Sequence, residues 1–291
     1  RSEFSSANCR NYFLNVRRNV MPQFINTNIM SLNTVRVLDQ SQKSLQTSME
    51  RLSSGKRINH ARDDAAGMAI TEKMTSQIRG MNQAVRNSND GISMVQTADG
   101  AMEGIASKLQ RMRELAVQAA NGIYSTSDRN SLNIEFQALD DEINRVATTT
   151  QFNGINLLAS NLTTEIQTGA LSGSTIDVEL TGVTSTNLGI EDDLITTQGN
   201  ASTSIGAIDA ALSIVNSARA KLGATQNRLE TTVQDLKNNV ENLSASRSRI
   251  KDADFASETA TLAKNQILQQ AGMAMLSQAN QLPQQVLKLL Q

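Results

Sequence analysis

The chain has 291 residues, a net charge of −1, 39% hydrophobic and 3% aromatic residues, and no tryptophan. Near-neutral charge gives no electrostatic case for a nucleic-acid partner, and the absence of any run of about 18 apolar residues argues against a membrane span. One cysteine, Cys9, and one histidine, His60, allow no intramolecular disulfide and leave too little for a zinc site or nucleophilic triad, so no catalytic, cofactor-binding or metal residue and no cofactor is expected.

Residues 1–20 differ in character from the rest of the chain. They hold four Arg, one Glu, the lone Cys and one of two Tyr, but lack the apolar run of a secretory signal. This segment is read as a non-native or upstream-translated leader, with a short native extension as the alternative. From Ile25 a stripe of Ile29, Leu32, Val35, Leu38, Leu45, Met49 and Leu52 steps by three, four and seven, which is one face of a helix. The stretch RLSSGKRINHARDDAAG, Arg51–Gly67, interrupts it. A second stripe then runs through Met74, Ile78, Met81, Val85, Ile92, Val95, Met102, Ile105, Leu109, Met112 and Ala119. Residues 68–119 would make a helix of about 75 Å, long enough to read as a coiled coil. Gly80, Gly91, Gly100 and Gly104 lie inside it, each costing about 1 kcal/mol against Ala, so close helix packing is expected at all four.

A shorter helix with Leu132, Phe136, Leu139, Ile143 and Val146 comes next, with Ser127 or Asp128 as its expected N-cap. Residues 153–200 are rich in Gly, Ser, Thr and Asn, and the alternation of Ile176, Val178 and Leu180 predicts a strand with one wet face. Seven-residue periodicity resumes with Ile208, Val215, Leu222, Leu229 and Leu236. A last stripe carries Leu268, Met275, Ala279, Leu282, Val286 and Leu289. The expected fold is mainly α, a long antiparallel coiled-coil rod built from both chain ends, with a small β-hairpin region in the middle.

Several strings carry a resemblance: INTNIMSLN, RLSSGKRINHARDDAAGMAI, AVRNSNDGISMVQTADGAM, LQRMRELAVQAAN, QFNGINLLA and RSRIKDADFASETATLAKNQILQQAGMAMLSQANQLPQQVLKLLQ. Their order and spacing resemble bacterial flagellin over both ends of the region from Met21 on. The middle that many flagellins expand is short here, so large outer domains are not expected. The resemblance implies an N-terminal inner-tube helix and spoke over 21–67, and an N-terminal part of a helical rod domain over 68–158. A short β-rich variable middle would span 159–200, the C-terminal part of the rod 201–245, and a spoke with the C-terminal inner-tube helix 246–291. It also implies a secreted, extracellular, non-enzymatic subunit that polymerises with itself for swimming motility. Partners implied are an export chaperone, the filament cap and hook–filament junction proteins, the flagellin-sensing Toll-like receptor of animal hosts and cytosolic innate sensors.

Candidate site residues come from the same strings. The 51–67 stretch is read as a joint: Gly55 permits a positive φ, Ser53, Ser54 and Asn59 can satisfy backbone groups, and Asp63 and Asp64 suit the start of the next helix. Arg51 and Arg57, with Lys56 and Arg62, would pair with neighbouring subunits. Catalysis by Asp63, Asp64 and His60 is disfavoured, because adjacent Asp side chains on a helix point apart and one His is too few. Leu45, Met49, Leu52, Leu282, Val286, Leu289 and Leu290 are assigned to polymerisation. Gln110, Arg111, Leu115 and Glu135 match the family's receptor-contact positions, although heptad surface charge explains the same pattern. Each terminal stripe is too thin to fold alone, so 21–50 and 258–291 are expected to be disordered in the free monomer and to become helical on assembly. A hook–filament junction protein or another secreted coiled-coil filament protein remains the alternative.

Overall fold

The computed structural model of the chain describes residues 27–191 and 193–289, with side chains as far as Leu282. Ile25, the 1–20 leader and Leu290 lie outside the described residues. Six helices and two antiparallel strand pairs are present among them: α1 (Ile29–Ser54), α2 (Ala65–Ala119), α3 (Thr126–Thr149), β1 (Gln151–Phe152), β2 (Ile155–Asn156), β3 (Leu162–Gln167), β4 (Thr175–Leu180), α4 (Ser185–Leu188), α5 (Gln198–Lys251) and α6 (Phe255–Leu289). They divide into two compact units, one from the chain up to Ala65 and from Lys251 onward, the other Ala66–Ile250.

The larger unit is organised by α2 and α5. Met102, Ile105, Leu109, Met112 and Leu115 of α2 meet Ile208, Val215, Leu222 and Leu229 of α5 in one buried cluster, joined by Phe136 and Ile143 of α3. Ion pairs set the register: Arg113 meets Asp209 at 2.7 Å and Arg219 meets Asp99 at 2.8 Å, so the two helices run antiparallel. Without tryptophan and with few aromatics, burial rests on branched and sulfur-containing side chains aligned in seams. The cap of α3 is Ser125, not Ser127 or Asp128: Ser125 Oγ accepts from Asp128 N while the Asp128 carboxylate accepts from Ser125 N at 3.0 Å, a closed capping box. Asp128 is thus the third helical residue.

The middle segment packs onto these helices. In β4, Ile176, Val178 and Leu180 are buried while Asp177 and Glu179 are exposed, as the alternation predicts. Its partner β3 pairs Ile166 with Ile176 and Leu162 with Leu180. A second, shorter hairpin turns through Asn153 (φ 48°) and Gly154 (φ 80°), both in the left-handed region. The segment carrying α4 is strapped to α3 by its polar side chains: Ile195 N donates to Asn133 Oδ1 at 3.0 Å, Ser185 N to Asn144 Oδ1 at 2.9 Å, and Ser185 Oγ to Asp140.

Two glycines of α2 make room for the hairpin. A Cβ at Gly80 would lie 2.8 Å from Ala170 Cβ and 3.3 Å from its Cα, and one at Gly91 would meet Ile166 Cδ1. Both clear a path for the β3–β4 hairpin. Gly100 faces open space and Gly104 meets only Lys108 Nζ at 3.8 Å, so no packing explains their cost.

Gly80→Ala forces either the hairpin backbone or α2 to move and is expected to destabilise the 66–250 unit by about 1–3 kcal/mol. Gly100→Ala should be neutral or stabilising by its helix propensity alone. Denaturant titration followed by circular dichroism separates the two.

Candidate functional site

The smaller unit pairs α1 with α6 along a seam of seven-residue spacing. On α1 the inward positions are Ser31, Thr34, Leu38, Ser41, Leu45, Ser48 and Leu52; on α6 they are Glu258, Leu262, Asn265, Gln269, Gly272, Leu276 and Ala279. The helices are antiparallel. Asn28 caps α1 through Ser31 N and donates from Nδ2 to Ala279 O at 2.7 Å; Ser41 Oγ donates to Asn265 O at 3.4 Å; Arg51 lies 3.8 Å from Glu258. A Cβ at Gly272 would lie 3.2 Å from Leu38 Cδ1, so Leu38 enters a hole left by a missing side chain. Small seam residues let the two backbones approach within 8 Å along the pair, which α2 and α5 do not. Two buried nitrogens in the seam, Arg51 Nε and Asn265 Nδ2, make no hydrogen bond. Each such group costs about 1–3 kcal/mol, so this is a weak and polar seam.

Only part of the apolar stripe read from the sequence enters this seam. Ile29 is 62% exposed, Leu32 63% and Ile267 65%, and Val35, Met49, Leu268, Met273, Met275 and Leu282 are exposed with them. Of the residues assigned to polymerisation, Met49 and Leu282 face outward, whereas Leu45 and Leu52 are half-buried in the α1–α6 seam. The periodicity misled there because α1 carries apolar residues on two faces, and a list of apolar positions merges them. No side chain is described for Val286 or Leu289.

The 51–67 joint is closed by backbone bonds. Gly55 (φ 69°) ends α1 in the left-handed region. Its carbonyl accepts from Ala253 N at 3.0 Å, Arg57 N donates to Lys251 O at 2.7 Å, and Lys56 bridges Asp252. Ser54 Oγ accepts from Lys56 N, and Asn59 Nδ2 donates to Lys56 O. Asp63 does not cap α2. One of its oxygens accepts from His60 N at 2.9 Å and Asn59 N at 3.1 Å, organising the turn itself. Asp64 directly precedes α2. His60 Nε2 reaches Glu50 at 2.8 Å, and Arg51 pairs inside its own unit with Glu258. Among the described residues no group of three or more His, Cys, Asp or Glu is placed to hold a metal ion.

In the larger unit Gln110, Arg111 and Glu135 are exposed together. Arg111 Nε donates to Glu135 at 2.9 Å and Nη1 to Glu114 at 2.9 Å, and the bonds to Glu114 and Glu135 hold its pKa above the ordinary arginine value. Leu115 is not part of this surface. It is 1% exposed, because it shares the buried face of α2 with Met112, three residues before it, and packs into the α2–α3–α5 core.

The backbone bonds from His60 and then Asn59 hold the Asp63 carboxyl below the ordinary Asp value. A depressed folded-state pKa contributes stability above the unfolded value and loses it as pH falls through the folded value. Asp63→Asn should therefore loosen the joint at neutral pH, with faster amide exchange at Asn59 and His60. The difference from the parent chain should vanish in acid, below both carboxyl pKa values.

Against known proteins, the bacterial flagellin N-terminal helical region matches residues 25–163 and the bacterial flagellin C-terminal helical region matches residues 205–290. The chain is 50% identical to a flagellin of Halalkalibacterium halodurans, covering 91% of this chain and 99% of that protein. It is 43% identical to the flagellar filament core protein flaB2 of Brachyspira hyodysenteriae, covering 92% and 99%. A solved structure of a putative flagellar hook-associated protein from Vibrio parahaemolyticus superposes with a TM-score of 0.56 at 16% identity, over 65% of this chain and all of that one, a likeness of fold alone.

Proposed function

The chain belongs to the bacterial flagellin family, and from that premise we propose that it polymerises through the outward apolar faces of α1 and α6. It is a structural subunit of a flagellar filament. The observation that carries the proposal is the mismatch between the two faces of each terminal helix. The inward face interleaves a few leucines with small and polar residues, while the outward face exposes Ile29, Leu32, Val35, Met49, Ile267, Leu268, Met273 and Met275. Covering each such side chain is worth about 1.5–3 kcal/mol, against about 1–2 kcal/mol per residue for ordering backbone. One intramolecular partner, covering a single narrow face of each helix, returns only part of that cost. Neighbouring subunits return the rest, so the ends of the chain order fully in the filament. A contact that does not close on itself gives an open helical polymer.

In this reading 21–67 and 246–291 are the inner-tube helices with their spokes, residues 68–158 and 201–245 are the rod domain, and 159–200 are its short variable middle. Arg51, Gly55, Arg57, Asp63 and Asp64 serve the joint. The subunit is secreted to an extracellular filament, performs no catalysis, and meets an export chaperone, the filament cap and the hook–filament junction proteins on its way. Leu32→Asp combined with Ile267→Asp should stop elongation from seed fragments in negative-stain microscopy while leaving the helix content of 66–250 intact. Filaments of ordinary length from this variant would reject the proposal.

A second reading concerns the monomer. The exposed cluster of Gln110, Arg111 and Glu135 supports recognition by the flagellin-sensing Toll-like receptor, since an exposed Arg with satisfied carboxylate partners is a suitable interface anchor. Cytosolic innate sensors would read the C-terminal helix instead. Arg111→Ala should lower reporter-cell activation by monomer with circular dichroism unchanged. Leu115→Asp is unsuitable for that purpose, because it would bury a carboxylate in the core and unfold the unit.

A further inference from the structure

The turn between α2 and α3 contains an Asn–Gly pair, Asn121–Gly122, held in a setting that activates both of its reacting groups. Asn121 and Gly122 are exposed. The side-chain oxygen Asn121 Oδ1 accepts from Ile123 N at 3.3 Å, an Asx turn that fixes the side-chain amide against its own following backbone. The main-chain oxygen of Asn121 accepts from Arg129 Nη2 at 3.0 Å and from Tyr124 N at 3.4 Å. Arg129 is buried and anchored by a second bond, from Nε to Ala119 O at 2.8 Å. Among the described residues, the hydrogen bonds of the turn use the N–H groups of Asn121, Ile123 and Tyr124 and leave that of Gly122 out.

We infer that Asn121 is a site of self-catalysed deamidation, in which the fold promotes attack of the Gly122 backbone nitrogen on the Asn121 side-chain amide. The peptide group that joins Asn121 to Gly122 owns both the oxygen held by Arg129 and the nitrogen that attacks. A guanidinium donating to that oxygen stabilises the negative charge the peptide gains on deprotonation, which makes the Gly122 N–H easier to ionise. At the other end, Ile123 N–H donates to Asn121 Oδ1, the oxygen that becomes negative when Cγ turns tetrahedral, as an oxyanion donor does. Glycine supplies a nitrogen with no side chain beside it to obstruct the approach.

The chemistry balances with water alone. Gly122 N–H gives its proton to solvent base and the nitrogen bonds to Asn121 Cγ. The side-chain nitrogen takes up a proton and leaves as ammonia, which closes a five-membered succinimide. Water then adds to either carbonyl of the ring. Breaking the bond from nitrogen to Cγ leaves an ordinary aspartate at this position. Breaking the bond from nitrogen to the main-chain carbonyl carbon gives isoaspartate, with the chain rerouted through the former side chain. No atom is oxidised or reduced. Both products add one negative charge next to the Arg129 guanidinium, and isoaspartate also adds a backbone atom between the end of α2 and the capping box of α3.

The same chain contains a control. Asn153–Gly154 is also exposed, but it sits in the two-residue hairpin turn between β1 and β2, with no arginine on its main-chain oxygen among the described residues. The test is to incubate the full chain in mildly alkaline buffer and digest it. Aspartate and isoaspartate at positions 121 and 153 are then resolved by electron-transfer fragmentation, with the urea-unfolded chain as the reference. Asn121 is expected to convert about tenfold faster folded than unfolded, and Asn153 to gain nothing from folding. Arg129→Lys keeps a positive charge but loses the two-pronged reach, and it should remove most of the acceleration. Gly122→Ala should suppress conversion in both states; its added Cβ would meet only Gln198 Nε2 at 3.9 Å, so the fold is kept. Equal folded and unfolded rates at Asn121 would overturn the inference. So would an unchanged rate in Arg129→Lys whose circular dichroism matches the parent.

Discussion

A helix of fifty residues cannot cover its apolar stripe against itself, and every other feature of this chain depends on how that stripe is covered. In the Ala66–Ile250 unit the stripe of α2 finds its partners within the chain, on α5, α3 and the β3–β4 hairpin. The result is a continuous buried seam from Met94 to Ala119 and from Ala201 to Leu229, and the exposed faces are left to ion pairs and polar side chains. In the unit formed by the two chain ends, the partners within the chain cover a narrow seam of leucines interleaved with small and polar residues and leave the outward apolar residues bare. The same physical requirement is met inside one unit and left open in the other.

This asymmetry has a chemical basis. Serine and alanine at seam positions let helices approach closely but bury little area, and Gly272 opposite Leu38 is the extreme case. Buried polar groups such as Ser41, Ser48 and Asn265 fix register at a cost in stability. A pair built in this way aligns two ends of the chain that lie more than two hundred residues apart in sequence without making the pairing the deepest minimum available to them. The outward residues, several of them methionine, form an adaptable apolar surface, and a subunit of a polymer needs such a surface. Glycine is used for the same economy in the larger unit. Gly80 and Gly91 give up helix propensity so that a hairpin can lie against the helix axis.

The joint between Arg51 and Gly67 illustrates how little chemistry is needed for a mechanical element. A positive-φ glycine, an Asp accepting two backbone N–H groups, and backbone bonds to residues 251–253 define its path. Of the charged residues that look like an active site in the sequence, Asp63 satisfies the turn and His60 pairs with Glu50. Arg129 plays a comparable part at the other end of α2. It donates to the carbonyl of Ala119 at the end of the helix and to that of Asn121 in the turn, and so ties the turn to α3.

The sequence by itself determined the long helices and their periodicity, because 3.6-residue spacing is a local property that survives over about fifty residues without reference to any partner. It also determined the positive φ at Gly55, the inward face of β4 and the family, since ordered strings such as those around Arg51 and Gln110 are local as well. Only the tertiary structure decided which face each helix turns toward its neighbour. Ser41 and Ser48 share the heptad of Leu38, Leu45 and Leu52, yet serine reads as surface until a partner is placed over it, and Met49 reads as core until none is found. The cap at Ser125 in place of Ser127 and the hairpin lying on Gly80 were hidden for the same reason. Each depends on a residue distant in sequence or on a choice among nearby equivalents, and periodicity carries no information about either.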